Sequence, residues 1–297
     1  MSKGKSVARG GKMMFSLVIA TVGRTGELNR FLEHLDKQTY RDFELIVVDQ
    51  NPDNCLVPIL GPFQEQFPIL HLRSEKGLSR ARNVGLKHIS GDIVAFPDDD
   101  CWYPESLLDS VARFFQQNPN VDGLTGRAID EKGRPSGGRW DKTPGPINRF
   151  NIWKKGISIT IFLKKYVVDQ VGVFDEDLGV GAGTLWGSSE EIDYLLRALE
   201  LGFRIYYNPN VVVYHPQHVK RYNSQAFSRA YSYGAGIGRV LRKHRYPLWF
   251  VLYEWARSGG GGLISLLKGR LGKARFHLSA LHGKVVGWGY SGGLKDG

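Results

Sequence analysis

The sequence predicts an α/β protein: a mixed, mostly parallel sheet flanked by helices, followed by a basic helical extension. Three observations carry this expectation. Short apolar runs of strand length alternate with segments of helical periodicity through the first hundred residues, the fourth run empties into three consecutive carboxylates, and the positive charge sits in the C-terminal part of the chain. Ligands in open α/β sheets collect at the carboxyl ends of strands, so that acidic junction is where a site is expected.

Taken in order, Phe15 to Thr21 is a continuous apolar run, and Leu28, Phe31, Leu32 and Leu35 then recur at helical spacing. The basic and then apolar start superficially resembles a signal peptide. Arg24 follows with no small-residue cleavage site, however, and the run serves as the first strand, so residues 1–13 are expected to be a basic extension. Phe43 to Val48 reads as a second strand, stopped by the turn-rich DQNPDN. Ile69 to Leu72 is a third, leading into an amphipathic helix carried by Leu78, Ala81, Val84, Gly85 and Ile89. Ile93 to Phe96 follows as the fourth. Strands alternating with helices argue for parallel pairing with right-handed crossovers, covered on both faces. Cys55 and Cys101 supply neither a disulfide framework nor a zinc set, so a reducing compartment is expected.

Asp98, Asp99 and Asp100 follow the fourth strand, held between Pro97 and the Trp102–Pro104 segment. Such a cluster suits a hard divalent cation that takes its other oxygens from water and a phosphate, although three acids can also form a solvated turn. Asp49 ends the second strand, where an acceptor-only carboxylate can hold a base or ribose hydroxyls, or form an Asx turn before Asn51-Pro52. In SSEEIDYLLRALELG, Ser188 and Glu191 have capping-box spacing, Leu195, Leu196 and Leu199 mark one helical face, and Gly202 is a natural C-terminal cap. Glu191 is thus either a helix cap or a base presented from a first turn. Asp193 stands four residues before Arg197 and is expected to pair with it. The glycine-rich stretch from Gly179 to Ser189 contains Trp186, which could offer a stacking face to a sugar. His215 closes an apolar run, in a structural role or as an imidazole ligand. The segment 131–138 reads as a hairpin or surface loop without assigned chemistry.

The formal net charge is +11, yet residues 217–297 carry 14 Lys and Arg against Glu254 and Asp296. The body is left near −1, so nucleic-acid binding is not expected of it, and the tail calls for an acidic partner such as an anionic membrane. PLWFVLYEW is strongly apolar, but Glu254, Arg257 and Gly259 to Gly262 interrupt it before a membrane-spanning length accumulates. An in-plane helix with Trp249, Phe250, Tyr253 and Trp255 at the interface is expected, with an ordinary helical subdomain as the alternative. The implied domains are a body over 14–218 and a tail over 219–297.

The order of parts resembles the family 2 glycosyltransferases, whose catalytic domain has the GT-A fold. The resemblance runs from Phe15 to about His215 and rests on FSLVIAT, LIVVD, GLSRARNVGL, PDDD, VGVFDEDLG and SEEIDYLLRALELG in their expected order. It implies an inverting transfer of sugar from a nucleoside-diphosphate donor to a glycan or lipid-linked acceptor, using Mg²⁺ or Mn²⁺. By the same resemblance Thr21 and Asp49 hold the donor's base and ribose, and Arg82, Asn83 and Asp99 lie near the donor. Asp98 and Asp100 match the Asp-x-Asp metal motif, His215 reaches the metal or diphosphate, and Asp175 lies on the acceptor side with Trp186. Glu191 or Glu190 would be the base; the second acid of the family's Glu-Asp pair is here Glu191. A cytoplasmic enzyme peripheral on the inner face of the cell membrane is implied. A non-catalytic nucleotide-sugar or glycan-binding protein on the same fold is the alternative.

Overall fold

The structure, a computed structural model, describes residues 12–217 and 221–290. Most of the expected basic N-terminal extension and the expected domain boundary lie outside those residues.

The chain forms β1 (Phe15–Thr21), α1 (Thr25–Asp36), β2 (Phe43–Asp49), α2 (Val57–Gln64), β3 (Ile69–Arg73), α3 (Leu78–Leu86) and β4 (Ile93–Ala95). There follow α4 (Leu107–Gln117), β5 (Gly123–Ile129), β6 (Gly145–Pro146), β7 (Phe162–Lys164), α5 (Lys165–Val171), α6 (Glu190–Glu200) and β8 (Ile205–Tyr214). Three helices end the described chain, α7 (Ser224–Lys243), α8 (Leu248–Leu267) and α9 (Leu271–Gly289). The sheet order is β3-β2-β1-β4-β7-β5-β8-β6. Pairing is parallel from β3 to β4 and between β5 and β8, while β7 and β6 run antiparallel to their neighbours.

Alternation along β1 divides the core. Phe15, Leu17 and Ile19 face one apolar layer with α1 and α4, whereas Val18 and Ala20 face a second with α3, α5 and α6. A strand with both faces covered must be apolar throughout, which is why β1 and β2 read as continuous runs. The order of the first four strands also sets the site. The chain moves from β1 outward to β3, then returns to add β4 on the other side of β1. The crevice between diverging connections therefore opens at the carboxyl ends of β1 and β4, where Thr21 and the three aspartates stand.

The tail is not a separate appendage. Ala235, Val240 and Leu241 of α7 and Phe250 and Val251 of α8 belong to the same buried cluster as Val18, Phe96 and Tyr194. Helices α7 and α9 cross in close backbone contact at Gly234 and Gly238 on one side and Gly283 and Gly287 on the other. A β-carbon at Gly283 would overlap the carbonyl of Tyr231, and one at Gly287 that of Ala235. This small-xxx-small spacing on both helices permits an approach that larger side chains forbid.

That packing has a measurable consequence. Gly283→Val should lower stability in urea unfolding by about 1–3 kcal/mol, the usual cost of overpacking. Gly260→Ala, where an added β-carbon meets nothing within 4 Å, should instead stabilise slightly by removing helix-interior glycine entropy. Equal effects at both positions would contradict the close crossing.

Candidate active site

The carboxyl ends of β1, β4 and β8 contribute to one cluster. After β4, Phe96 and Pro97 carry the chain past Ala20, which bridges Asp98 as a short extension of the parallel pairing. The downstream flank is rigid, as the sequence suggests: Trp102 stacks on Tyr214 of β8 with centroids 5.5 Å apart, and Arg30 lies over its ring. The Thr21 hydroxyl donates to Asp99 Oδ2 at 2.7 Å, so the ends of β1 and β4 are joined by a buried hydrogen bond.

Arg24, which sequence reading passed over, spans the acids. Its Nη1 lies 2.7 Å from Asp99 Oδ1 and 2.6 Å from Asp100 Oδ2. Burial alone would lower its pKa, but Asp99 and Asp100 raise it, so the guanidinium stays charged. Burial pushes Asp99 up to about 6 against the opposing pull of Arg24 and Thr21, and raises Asp98 against Arg82.

Asp98, Asp100 and His215 each offer one ligand atom, and those three atoms lie within 4.8 Å of one another. His215 Nε2 is 3.1 Å from Asp100 Oδ1, while Nδ1 is 2.6 Å from the Pro216 carbonyl and 3.2 Å from the Ser136 hydroxyl. With Nδ1–H donated to that carbonyl, Nε2 is the nitrogen aimed at the acids; it donates to Asp100 when the ring is protonated and can ligate a metal when it is not. Two carboxylates and one imidazole fit Mn²⁺ or Mg²⁺ with positions left for oxygen from a phosphate. Ser136 lies in the segment to which no chemistry was assigned. Its signal was unreadable because His215 is 79 residues away.

Arg82, from α3, is completely buried and reaches both sides of the site. Nη2 is 3.0 Å from Asp98 Oδ1 and Nη1 is 3.0 Å from Glu190 Oε1. The guanidinium also lies over the rings of Phe174 and Phe96. Glu190 is thereby committed to Arg82, whereas Glu191 makes no ion pair among the described residues and lines the cleft half-buried. Burial, and next the Glu190 charge, pushes Glu191 up to about 8.

The turn before α6 is held from the tail. Ser189, the N-cap, has φ 70, an uncommon left-handed conformation for a non-glycine residue. The capping box expected from Ser188 and Glu191 does not form; the Ser188 hydroxyl donates instead to the Tyr233 carbonyl of α7 at 2.9 Å. Asp193 pairs with Arg197 as expected, at 3.0 Å, and also with Lys243 at 2.7 Å and His244 at 2.9 Å. Burial works against ionisation of Asp193, but His244, Lys243 and Arg197 together hold its carboxyl well below the usual range.

Several expected site residues have protein partners of their own. Asp49 is fully buried and accepts from the Asn51 backbone and side chain, both at 2.8 Å, with His71 at 2.9 Å and Arg73 at 3.0 Å. It forms the Asx turn, and Gln50 beside it reaches the cleft wall. Asn83 clamps the Phe174 backbone through both ends of its amide and also donates to Glu176, which ties α3 to that loop. Asp175 is paired with Lys243 at 2.7 Å and lies off the cleft wall. Trp186 is buried against Tyr290 and Arg239, which corrects its expected role as an open stacking face. Its loop is pinned by hydrogen bonds from Leu78 to Val180 and from Gly179 to Trp186.

The switch-point crevice thus carries an acidic cluster on one wall and a glutamate pair on the other. The family model "Glycosyl transferase family 2" matches residues 16–177, and the chain belongs to that family. It is an enzyme that transfers sugars. A Haemophilus influenzae protein described as an uncharacterized glycosyltransferase is 29% identical over 220 residues, 70% of each chain. Among solved structures, the mannosyltransferase PcManGT of Pyrobaculum calidifontis in complex with GDP-Man and Mn²⁺ superposes with a TM-score of 0.63 at 14% identity. That match covers 94% of this chain and 88% of the other. S. aureus TarS 1–349 in complex with UDP-GlcNAc gives 0.58 at 18% identity, covering 91% and 90%. At these identities the likeness is one of fold.

The raised Glu191 carboxyl predicts a stability signature. Its native value near 8 lies above the ordinary 4.5, so the native protein holds the extra proton between those values. Its contribution to stability therefore falls as pH rises through that window. Glu191→Gln should raise the unfolding midpoint at about pH 9, with the gain shrinking below pH 8 and vanishing near 4.5. A gain independent of pH would show that the carboxyl titrates normally.

Proposed function

We propose that the enzyme is a metal-dependent inverting glycosyltransferase moving a sugar from a nucleoside-diphosphate donor to a hydroxyl of a glycan or lipid-linked acceptor. One observation carries the reading: a cleft of about 1980 Å³ is lined by Asp98, Asp100 and His215 and also by Glu191, with Arg82 buried between the two groups. The donors named for the two structural neighbours, UDP-GlcNAc and GDP-Man, support a nucleotide sugar.

Asp98, Asp100 and His215 would hold the divalent ion, which when bound supplies charge to offset that of the leaving diphosphate. Arg24 offsets part of the charge of Asp99 and Asp100, so the acids confront the donor phosphates with less uncompensated charge. Glu191 takes the proton from the acceptor hydroxyl as its oxygen forms a bond to the anomeric carbon. The carbon–oxygen bond to the diphosphate breaks, and the nucleoside diphosphate leaves with that electron pair. One displacement inverts the anomeric centre. Glu190, held by Arg82, serves to fix the turn that presents Glu191. A base titrating near 8 is matched to proton transfer around neutral pH.

Thermal unfolding with nucleoside diphosphates, with and without Mn²⁺, tests the donor half. A ligand at 100 times its Kd stabilises by about 2.7 kcal/mol, and Asp100→Asn should abolish the metal-dependent shift. Glu191→Gln should keep that shift and lose roughly 10²- to 10⁴-fold in turnover, with kcat/KM of the parent enzyme rising with pH through a midpoint at about 8. Full turnover by Glu191→Gln would overturn the base assignment and move it to Glu190.

A further inference from the structure

Helix α8 buries Phe250 and Val251 in the core near its start, but beyond them its inward side carries Glu254, Ser258 and Ser265, all buried, while Trp249, Leu252, Tyr253, Leu263, Ile264 and Leu267 share its outward side. Glu254 is 1% exposed and stabilised by Lys284 of α9, whose Nζ is 2.7 Å from Oε2. Trp249 is 61% and Leu267 79% exposed. Among the described residues, eight of the 22 exposed large apolar side chains lie on α8 itself, so this one helix carries a disproportionate share of the exposure. A contiguous apolar face of this kind marks an interaction surface.

Charge selects the partner. Exposed Arg257, Lys268, Arg270 and Arg275 accompany the face, and Glu254, the one acid of α7 to α9 among the described residues, is buried on the inward side and already paired with Lys284 and Arg257. Two copies of so basic a surface repel each other, whereas anionic headgroups attract it. No helix among the described residues is long and apolar enough to cross a membrane. The catalytic cleft itself continues to α8, where Tyr253, Ala256, Arg257 and Ile264 line it.

We propose that the outward face of α8, with the turn into α9, seats the protein on an anionic lipid bilayer, α8 lying in the plane of the surface and the cleft mouth at the headgroups. The expected interface is thereby corrected in detail: Phe250 is buried in the core and Trp255 half-buried, and Leu252, Leu263, Ile264 and Leu267 take their place. Delivery of a membrane-borne acceptor into the cleft would follow and rests on the transferase reading; the docking does not.

Flotation of the full chain with vesicles of phosphatidylcholine, alone or mixed with phosphatidylglycerol, tests it without reference to turnover. Binding should require phosphatidylglycerol, weaken with salt, and shift Trp249 emission to the blue, a shift lost in Trp249→Phe. The double variant Leu263→Glu, Leu267→Glu should bind at least about tenfold more weakly at an unchanged unfolding midpoint. Lys268→Ala with Arg270→Ala should reduce the preference for anionic vesicles. Absence of binding by the parent protein, or equal binding by the leucine variant, overturns the proposal. So does a dimer in light scattering that the leucine variant abolishes while vesicles are ignored, which would assign the face to a second copy.

Discussion

Arg82 has no exposed surface and carries a charge that must be answered inside the protein. Asp98 answers it from one side and Glu190 from the other, each at 3.0 Å, with the faces of Phe96 and Phe174 around it. A buried cation deprived of one partner costs about 3–5 kcal/mol, so each of these contacts constrains the other. Through that single guanidinium, the acidic turn after β4 and the first turn of α6 are held in one frame. Asp98, Asp100 and Glu191 take their positions from it. The charge balance of the cleft extends outward through Arg24, which occupies Asp99 and Asp100 from the β1 side.

The tail belongs to the same frame. Tyr233 receives the Ser188 hydroxyl, and Lys243 and His244 converge on Asp193, so α7 braces the strained turn at Ser189 and the body of α6. The glycine-mediated crossing of α7 and α9 brings α8 across the cleft. One helical extension thus fixes the turn that carries Glu190 and Glu191 on its inner side and carries an apolar, basic face on its outer side.

Much of this was readable because local patterns encode it. The continuous runs of β1 and β2 and the spacing of Leu28, Phe31, Leu32 and Leu35 report burial directly, and the Asp98–Asp100 cluster announces itself by position. Gly202, with φ 85, caps α6 as its place after the helix implies. What escaped notice depends on distant partners. Arg24 meets acids 75 and 76 residues away. The Ser188–Glu191 capping box is right in spacing but loses to a carbonyl 45 residues on. Trp186 looked available because nothing nearby in sequence covers it; Arg239 and Tyr290 do so from the tail. Asp193 was matched to Arg197 by helical spacing, yet two of its partners come from the end of α7.

The most direct test of the frame is anomalous diffraction at the manganese edge from crystals grown with Mn²⁺ and a nucleoside diphosphate. The account expects one strong peak ligated by Asp98, Asp100 and His215, with the diphosphate oxygens completing the coordination and Arg82 still bridging Asp98 and Glu190. A nucleotide bound in the cleft with no manganese at those three residues, or manganese held elsewhere, would contradict it.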